Sequence, residues 1–127
     1  MKIKVKVEKT RTGFSAYAEK YAAFTTGKTV EALVTNMVES LNMYFEEDRS
    51  RRIVTAADLQ FEVDLTSVFE LFPVINVRAL SNRLGMNYTL ISQYATGKKK
   101  PSVRQAEKII GGIREVGREL MELRLIA

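Results

Sequence analysis

The chain has 127 residues, enough for one compact domain or two small ones. It contains no cysteine and no histidine, which excludes disulfide bonds, thiolate or imidazole zinc sites, and Cys–His or Ser–His nucleophile systems. The formal net charge of +5 is unevenly distributed, because residues 1–70 carry ten Lys/Arg and eleven Asp/Glu, whereas residues 71–127 carry ten and four, a net of +6. This segregation favours two domains, with an anionic partner such as nucleic acid for the second.

The first 20 residues predict a β-hairpin. Ile3, Val5 and Val7 alternate with charged residues, as in a strand with one buried and one solvated face. Residues 10–13 supply a turn, and residues 14–20 return as a second strand. This N-terminus lacks the continuous apolar core of a signal peptide, and no apolar run approaches the ~18 residues of a membrane-spanning helix. We therefore expect a soluble cytoplasmic protein with no membrane partner.

Residues 21–29 are predicted to form a short third strand with a turn at Gly27. From Thr29 the apolar period changes from 2 to 3.6 residues, which predicts an amphipathic helix with Thr29 as its N-cap. The apolar positions are Val30, Leu33, Val34, Met37, Val38, Leu41, Tyr44 and Phe45. We expect this stripe to pack on one face of the sheet.

The polar residues 46–52 predict a loop after this helix. Alternation of apolar and polar residues over 59–65 then predicts a fourth strand. Thr66 or Ser67 can cap a short helical linker over residues 68–72, which ends before a proline.

Residues 76–101, NVRALSNRLGMNYTLISQYATGKKKP, predict two short helices joined by a tight turn. Asn76 can cap the first helix and Gly85 can end it, whereas Asn87 can cap the second helix and Gly97 can end it before three lysines. Helices joined this way cross at a steep angle, which leaves the second free to enter a DNA major groove. A plain αα-hairpin with a solvated lysine loop is the alternative interpretation.

This stretch resembles the Cro/phage-repressor helix-turn-helix family. The matching residues are Leu80, Ser81, Gly85, Ile91, Ser92, Gln93, Tyr94, Gly97 and Pro101. The opening residues of the second helix face base edges in that family, so the resemblance implies base contacts from Tyr88, Thr89 and Gln93. Val77 stands where the family often has a phosphate-binding glutamine. The residues that we expect to contact the DNA backbone are Arg78, Asn87, Ser92, Lys98 and Lys99.

A further helix is predicted after Pro101, with Ser102 as N-cap and Gly117 as its C-terminal stop. Its interior residues Gly111 and Gly112 weaken a helix by about 1 kcal/mol each relative to alanine. We therefore expect close packing there against the helix-turn-helix.

The C-terminal residues 118–126 alternate at Met121, Leu123 and Leu125, which favours a strand, with a continued helix as the alternative. A lone apolar strand leaves unpaired edges, and pairing with its copy in a second chain would satisfy them. We therefore expect the chain to form a homodimer or a higher homo-oligomer through these three residues. A two-fold dimer would also match a palindromic operator.

The order of elements in residues 1–70 resembles the HicB-type antitoxin domain. The resemblance rests on three stretches, MKIKVKVEKT, GFSAYAEKY and TTGKTVEALVTNMVESLNMYF. Members of that family have a partial RNase H-like fold, and many carry a C-terminal DNA-binding domain. The resemblance thus implies an α+β protein with two domains. Residues 1–70 would form a β-β-β-α-β antitoxin domain that neutralises a small basic RNA-cleaving toxin. Residues 71–127 would form a helix-turn-helix domain that represses the shared operon by binding double-stranded operator DNA.

Two other functions remain open on the sequence: a solitary DNA-binding regulator whose N-terminal domain oligomerises or binds a small ligand, and an RNA-directed enzyme. RNase H chemistry needs several carboxylates that converge on two divalent cations. The candidates are Glu8, Glu19, Asp58, Glu62 and Asp64. The last three alternate with apolar residues, as on any solvated strand face. We therefore expect no catalytic residue, no metal site, no cofactor and no enzymatic activity.

Overall fold

The computed structural model describes residues 2–126. The chain divides into two compact units, Met1–Ser67 and Val68–Ala127. The fold class is α+β, with a four-stranded mixed sheet followed by helices. Within residues 2–126, no helix is long and apolar enough to cross a membrane.

The first unit contains the sheet, in the strand order β3-β2-β1-β4. Its elements are β1 (Ile3–Lys9), β2 (Phe14–Ala18), β3 (Phe24–Gly27), α1 (Val30–Glu47), a single 3-10 turn (Ala56–Asp58) and β4 (Leu59–Glu62). The β1–β2 and β2–β3 pairs are antiparallel, whereas β1 and β4 are parallel, with Ile3 opposite Leu59. Parallel neighbours need a crossover connection, and α1 provides it by carrying the chain from β3 to β4.

One face of the sheet is covered by α1, which packs against β2 and β3. The predicted alternation along β1 is confirmed, because its apolar residues are buried and its lysines are exposed. The predicted helix stripe is confirmed at its centre, where Leu33, Met37 and Leu41 are at most 1% exposed. The Thr29 side chain accepts a hydrogen bond from the Ala32 N–H at 3.1 Å, which confirms the predicted N-cap.

The second and third strands are shorter than predicted because the chain turns between them. The Ala18 N–H donates to the Ala23 carbonyl at 3.1 Å, and the Ala23 N–H donates to the Tyr21 carbonyl at 2.7 Å. This tight reversal leaves residues 19–23 outside both strands.

The predicted loop at 46–52 is partly wrong, because α1 continues to Glu47. The segment that follows is tied to the helix by Asn42, whose Nδ2 donates to the Val54 carbonyl at 3.1 Å and whose Oδ1 accepts from the Val54 N–H at 2.7 Å. One amide side chain thereby satisfies both backbone groups of Val54, which is 2% exposed.

The fourth strand also ends earlier than predicted, at Glu62. Asp64, which was placed in the strand, instead accepts a hydrogen bond from the Ser67 N–H at 2.8 Å. This is the geometry of an N-cap, so the helix starts earlier than the prediction at 68–72, and the predicted capping role of Thr66 or Ser67 is wrong.

The remaining helices are α2 (Leu65–Leu71), α3 (Val77–Leu84), α4 (Tyr88–Thr96) and α5 (Val103–Met121). The three predicted N-caps are confirmed. Asn76 accepts from the Ala79 N–H at 2.9 Å, Asn87 from the Leu90 N–H at 3.3 Å, and Ser102 from the Gln105 N–H at 3.2 Å. The buried residues of the second unit that lie on α3, α4 and α5 include Leu80, Ser81, Ile91, Tyr94 and Ile109.

The predicted stop at Gly117 and the predicted C-terminal strand are wrong. The helix α5 passes through Gly117 and ends at Met121, and residues 123–126 form neither helix nor strand. A glycine interrupts a helix at a cost of only about 1 kcal/mol, and the residues after it are strong helix formers. Arg83 on α3 also forms ion pairs with Glu115 and Glu119, on either side of this glycine, and these hold α5 against α3.

The two central glycines of α5 have different surroundings. A Cβ added to Gly112 would lie 2.4 Å from Leu84 Cδ2, whereas a Cβ added to Gly111 would meet no atom within 4 Å. The predicted close packing is thus confirmed at Gly112 alone.

This contrast predicts opposite effects for two neighbouring substitutions. We expect Gly111→Ala to raise the free energy of unfolding by about 0.5–1 kcal/mol, because alanine has less backbone entropy to lose on forming the helix. Gly112→Ala should lower it by about 1–2 kcal/mol, because Leu84 must move to accommodate the methyl group. Urea unfolding followed by circular dichroism measures both, and a Gly112→Ala protein as stable as Gly111→Ala would contradict the packing described.

Candidate nucleic-acid interface

The outward face of α4 is polar along its whole length. Its residues are Tyr88, Thr89, Ser92, Gln93 and Thr96. At 100° per residue these side chains occupy an arc of about 140° on the helix. Ile91 and Tyr94 lie outside that arc and are 0% and 5% exposed, so packing fixes which face is presented. All three predicted base-contacting residues lie on this one face.

The turn before α4 is held by backbone hydrogen bonds. Gly85 has φ 65°, in the left-handed region, and its N–H donates to the Asn82 carbonyl at 3.2 Å. The Met86 N–H donates to the Ser81 carbonyl at 3.0 Å, which completes a Schellman motif. The chain therefore leaves α3 and enters α4 within three residues, and the first turn of α4 is exposed.

Arg78 and Tyr88 are predicted contact residues from different helices, and the structure brings them together. The Arg78 guanidinium carbon lies 4.0 Å from the centroid of the Tyr88 ring, a cation–π distance. The stack holds a cation beside the N-terminus of α4, where the helix dipole also favours anions. The pairing restrains the Arg78 cation close to Val77, the position where the resemblance led us to expect a polar residue.

A basic loop follows α4 directly. Gly97 takes the left-handed conformation with φ 79°, and the Lys99 N–H donates to the Gln93 carbonyl at 3.2 Å. This bond folds the loop back onto the end of α4, so the exposed Lys98 and Lys99 adjoin its polar face. The predicted backbone contacts are thus grouped with the predicted base contacts on α3, α4 and the loop between α4 and α5.

No acidic residue occurs between Leu71 and Ala106, a stretch that holds six Lys/Arg. The acids of the second unit lie mainly on α5, where Glu115 and Glu119 form ion pairs with Arg83, the first at 3.8 Å. The hydrogen bond to Glu119 raises the pKa of Arg83 above its ordinary value. Arg83 therefore links α3 to α5, whereas the stretch of sequence that contains α4 carries positive charge and no carboxylate.

The predicted dimerisation residues are separate from this group. Met121 is the last residue of α5, and Leu123 and Leu125 lie in the irregular segment after it. They are 84%, 72% and 101% exposed, so in the single chain these side chains have little packing of their own.

Three of the five carboxylates considered for a metal site in the first unit have structural partners. Glu19 pairs with Lys6 at 3.7 Å, and Asp64 caps α2. Asp58 accepts from the Thr55 N–H at 2.9 Å, and this bond lowers the pKa of Asp58. Within residues 2–126, no three Asp or Glu side chains are grouped closely enough to hold a metal ion.

Sequence reasoning missed two features of the first unit. The Tyr21 ring packs against those of Tyr44 and Phe45, with ring centroids 5.6 and 4.8 Å apart. Arg52 donates a hydrogen bond to the Tyr21 hydroxyl at 3.3 Å. Phe24, on the edge strand β3, remains 63% exposed. Both rings fall in the stretch predicted as a short third strand, and their division into one packed and one exposed ring depends on the helix that covers the sheet.

No protein-family model matches this sequence, and a search of curated proteins also found no match.

Proposed function

We propose that the protein is a cytoplasmic DNA-binding transcriptional repressor and the antitoxin of a HicA–HicB-like toxin–antitoxin pair. The observation that carries the DNA-binding half is the outward polar face of α4, on which Tyr88, Thr89 and Thr96 are exposed and Ser92 and Gln93 are half-buried. Buried Ile91 and Tyr94 fix this face, and the stretch around it holds basic residues and no acids. In this proposal α4 lies in the major groove of operator DNA.

The chemistry of the face suits both kinds of DNA contact. The Gln93 amide has a donor and an acceptor side by side, which matches the N6 and N7 edge of adenine, and Thr89 offers a hydroxyl and a methyl group. Lys98, Lys99 and the guanidinium of Arg78 supply positive charge for phosphates, which gives affinity and register without reading sequence.

The antitoxin half rests on the HicB resemblance and on the properties of the first unit. Residues 1–67 are almost neutral, with ten Lys/Arg and ten Asp/Glu, so they lack the charge expected of a second nucleic-acid-binding domain. The exposed Phe24 lies on an edge strand, a position where protein partners often dock. We propose that this unit binds and neutralises a small basic RNA-cleaving toxin and has no enzymatic activity. Three of its five candidate carboxylates serve as caps or an ion-pair partner, which supports this proposal.

The base-reading assignment predicts that Thr89→Ala and Gln93→Ala each weaken operator binding by ~1–3 kcal/mol and relax sequence preference at one position. Gln60→Ala is the matched control, because Gln60 is an exposed glutamine on β4 of the other unit. Fluorescence anisotropy with the protein's own promoter and with scrambled DNA measures both effects. If both α4 variants bind the promoter as tightly as the unchanged protein, the recognition-helix assignment is wrong.

The lysine assignment predicts a different pattern. Replacing Lys98 and Lys99 together by alanine should weaken binding to every sequence equally and reduce the slope of log K against log salt by about 1.8, since each phosphate contact contributes about 0.9. Lys4→Ala with Lys28→Ala removes the same charge from exposed positions of the first unit and should leave the slope nearly unchanged. A selective loss at the operator alone would contradict the phosphate role.

The antitoxin half predicts that a gene beside this one encodes a small basic RNA-cleaving protein. Expression of the RNA-cleaving neighbour alone should arrest growth, and co-expression with the present chain should restore it. The two chains should also copurify. Thr89→Ala should lose repression but retain growth rescue, because the two activities are assigned to different units. Absence of such a neighbour, or failure of both copurification and rescue, would favour a solitary regulator.

A further inference from the structure

An open apolar groove of about 630 Å³ lies on the second unit, lined by residues from the end of α2, the segment after it, α3 and α5. Its apolar lining includes Phe72, Val74, Ile113 and Leu120. Val74 is 87% exposed, Leu120 is 61% exposed and Phe72 is 43% exposed, so the chain does not fill the groove itself. Exposed apolar surface of this extent on one side of a small unit indicates a binding surface.

Gly117 lies on the groove, and a Cβ added to it would meet no atom within 4 Å. A glycine inside a helix costs about 1 kcal/mol relative to alanine. Gly112 has a packing reason within the unit, because Leu84 lies against it, but Gly117 has no such contact. A backbone left bare beside an apolar groove allows an occupant to approach closely.

The same chain carries an unpartnered apolar segment of matching character. Met121, Leu123 and Leu125 are 84%, 72% and 101% exposed. Met121 ends α5, and Leu123 and Leu125 alternate with Arg124 in the segment after it, so they share one face once this segment extends along a partner. We call Met121, Leu123 and Leu125 together the apolar row.

The segment is poorly suited to fold back into its own groove. It leaves α5 one residue after Leu120, which already lines the groove, so the chain would have to reverse direction at once. Residues 122–126, ELRLI, contain no Gly, Pro, Asn, Asp or Ser, the residues that tight turns use. A second copy of the chain can supply the same segment without any reversal.

Charge and area are both compatible with a second copy. The C-terminal part of the chain carries three arginines (Arg114, Arg118, Arg124) and three glutamates (Glu115, Glu119, Glu122), so a two-fold pairing of this region creates no excess of like charge. The groove and the apolar row together expose six large side chains per chain, a surface of the order of the ~800 Å² that each partner buries in a stable interface.

We propose that two copies of this chain exchange their C-terminal segments, each placing the row formed by Met121, Leu123 and Leu125 in the groove of the other. The arrangement is isologous, because each copy contributes one groove and one segment. Residues of α5 line the groove, and the segment begins where α5 ends. This proposal rests on the proposed function, since a repressor of a palindromic operator is expected to be a dimer, and it identifies the residues in contact. The exchange itself requires neither DNA nor toxin.

Sedimentation equilibrium of the full chain and of point variants tests this directly. Leu123→Glu with Leu125→Glu should raise the dimer dissociation constant by about 100-fold or more, because two buried leucines are lost and charges enter an apolar groove. Val103→Glu with Ile53→Glu places the same two charges at exposed apolar positions outside the groove lining and should change the constant by less than about threefold. A monomeric full chain, or equal effects of the two changes, would overturn the proposal.

A complementation experiment separates exchange from other dimers. A chain without residues 122–127 keeps its groove but lacks the segment, whereas Gly117→Leu keeps the segment but fills the groove. Each should be a monomer alone, with helical content checked by circular dichroism, and an equimolar mixture should form heterodimers that contain one groove–segment contact. A truncated chain that dimerises as tightly as the full chain would overturn the exchange.

DNA binding distinguishes failure of this contact from failure of the proposed function. Folded monomeric variants should still bind a single half-site, with the unchanged sequence preference, while affinity for the two-half-site operator falls by about 10- to 100-fold. Loss of half-site binding in the full chain would count against the DNA-binding proposal and leave the sedimentation result standing.

Discussion

The presentation of α4 depends on the left-handed backbone at Gly85. A residue with a Cβ pays roughly 1–2 kcal/mol to adopt that conformation, and glycine does not. With φ 65° at this position, two backbone hydrogen bonds close the end of α3, and Asn87 caps α4 two residues later. Because the connection is so short, burial of Leu80 on one helix and Ile91 and Tyr94 on the other leaves α4 a single orientation, with its polar face outward.

Electrostatics then divides the second unit into two regions. The stretch from Leu71 to Ala106 has no carboxylate, whereas α5 carries acids that pair with Arg83 and hold the helices together. The Arg78–Tyr88 stack also fixes the position of positive charge, because the ring restrains a long flexible cation next to the N-terminus of α4.

The first unit uses its charges differently. Three of its acids have structural roles: Asp58 caps a 3-10 turn, Asp64 caps α2 and Glu19 pairs with Lys6. Its sheet ends in two four-residue edge strands, β3 and β4, which are short enough to limit unwanted strand pairing. The exposed Phe24 on β3 is a localised apolar feature at this edge.

Local chemistry in the sequence determined much of this protein. Period-two alternation located the strands, and the change of period at Thr29 located α1. Asn76, Gly85, Asn87, Gly97 and Ser102 marked the helix ends in the second unit, because capping and left-handed turns depend on residues within three positions of one another. The same residues placed the predicted DNA contacts on one helix face.

Tertiary structure decided what those local signals could not. Asp64 became a cap because its backbone left the sheet, and the pairing of Tyr21 with the α1 aromatics depends on residues more than 20 positions away. At Gly117 the helix continued where a stop was expected, and Arg83, more than 30 positions earlier, forms ion pairs with glutamates on both sides of this glycine. The apolar groove beside α5 is formed by residues from 68 to 120, and no window of sequence reveals that they enclose one surface. Caps, turns and helix or strand periodicity depend on neighbouring residues and can be predicted from the sequence. Packing between distant segments forms only when the chain folds, so it cannot be predicted in the same way.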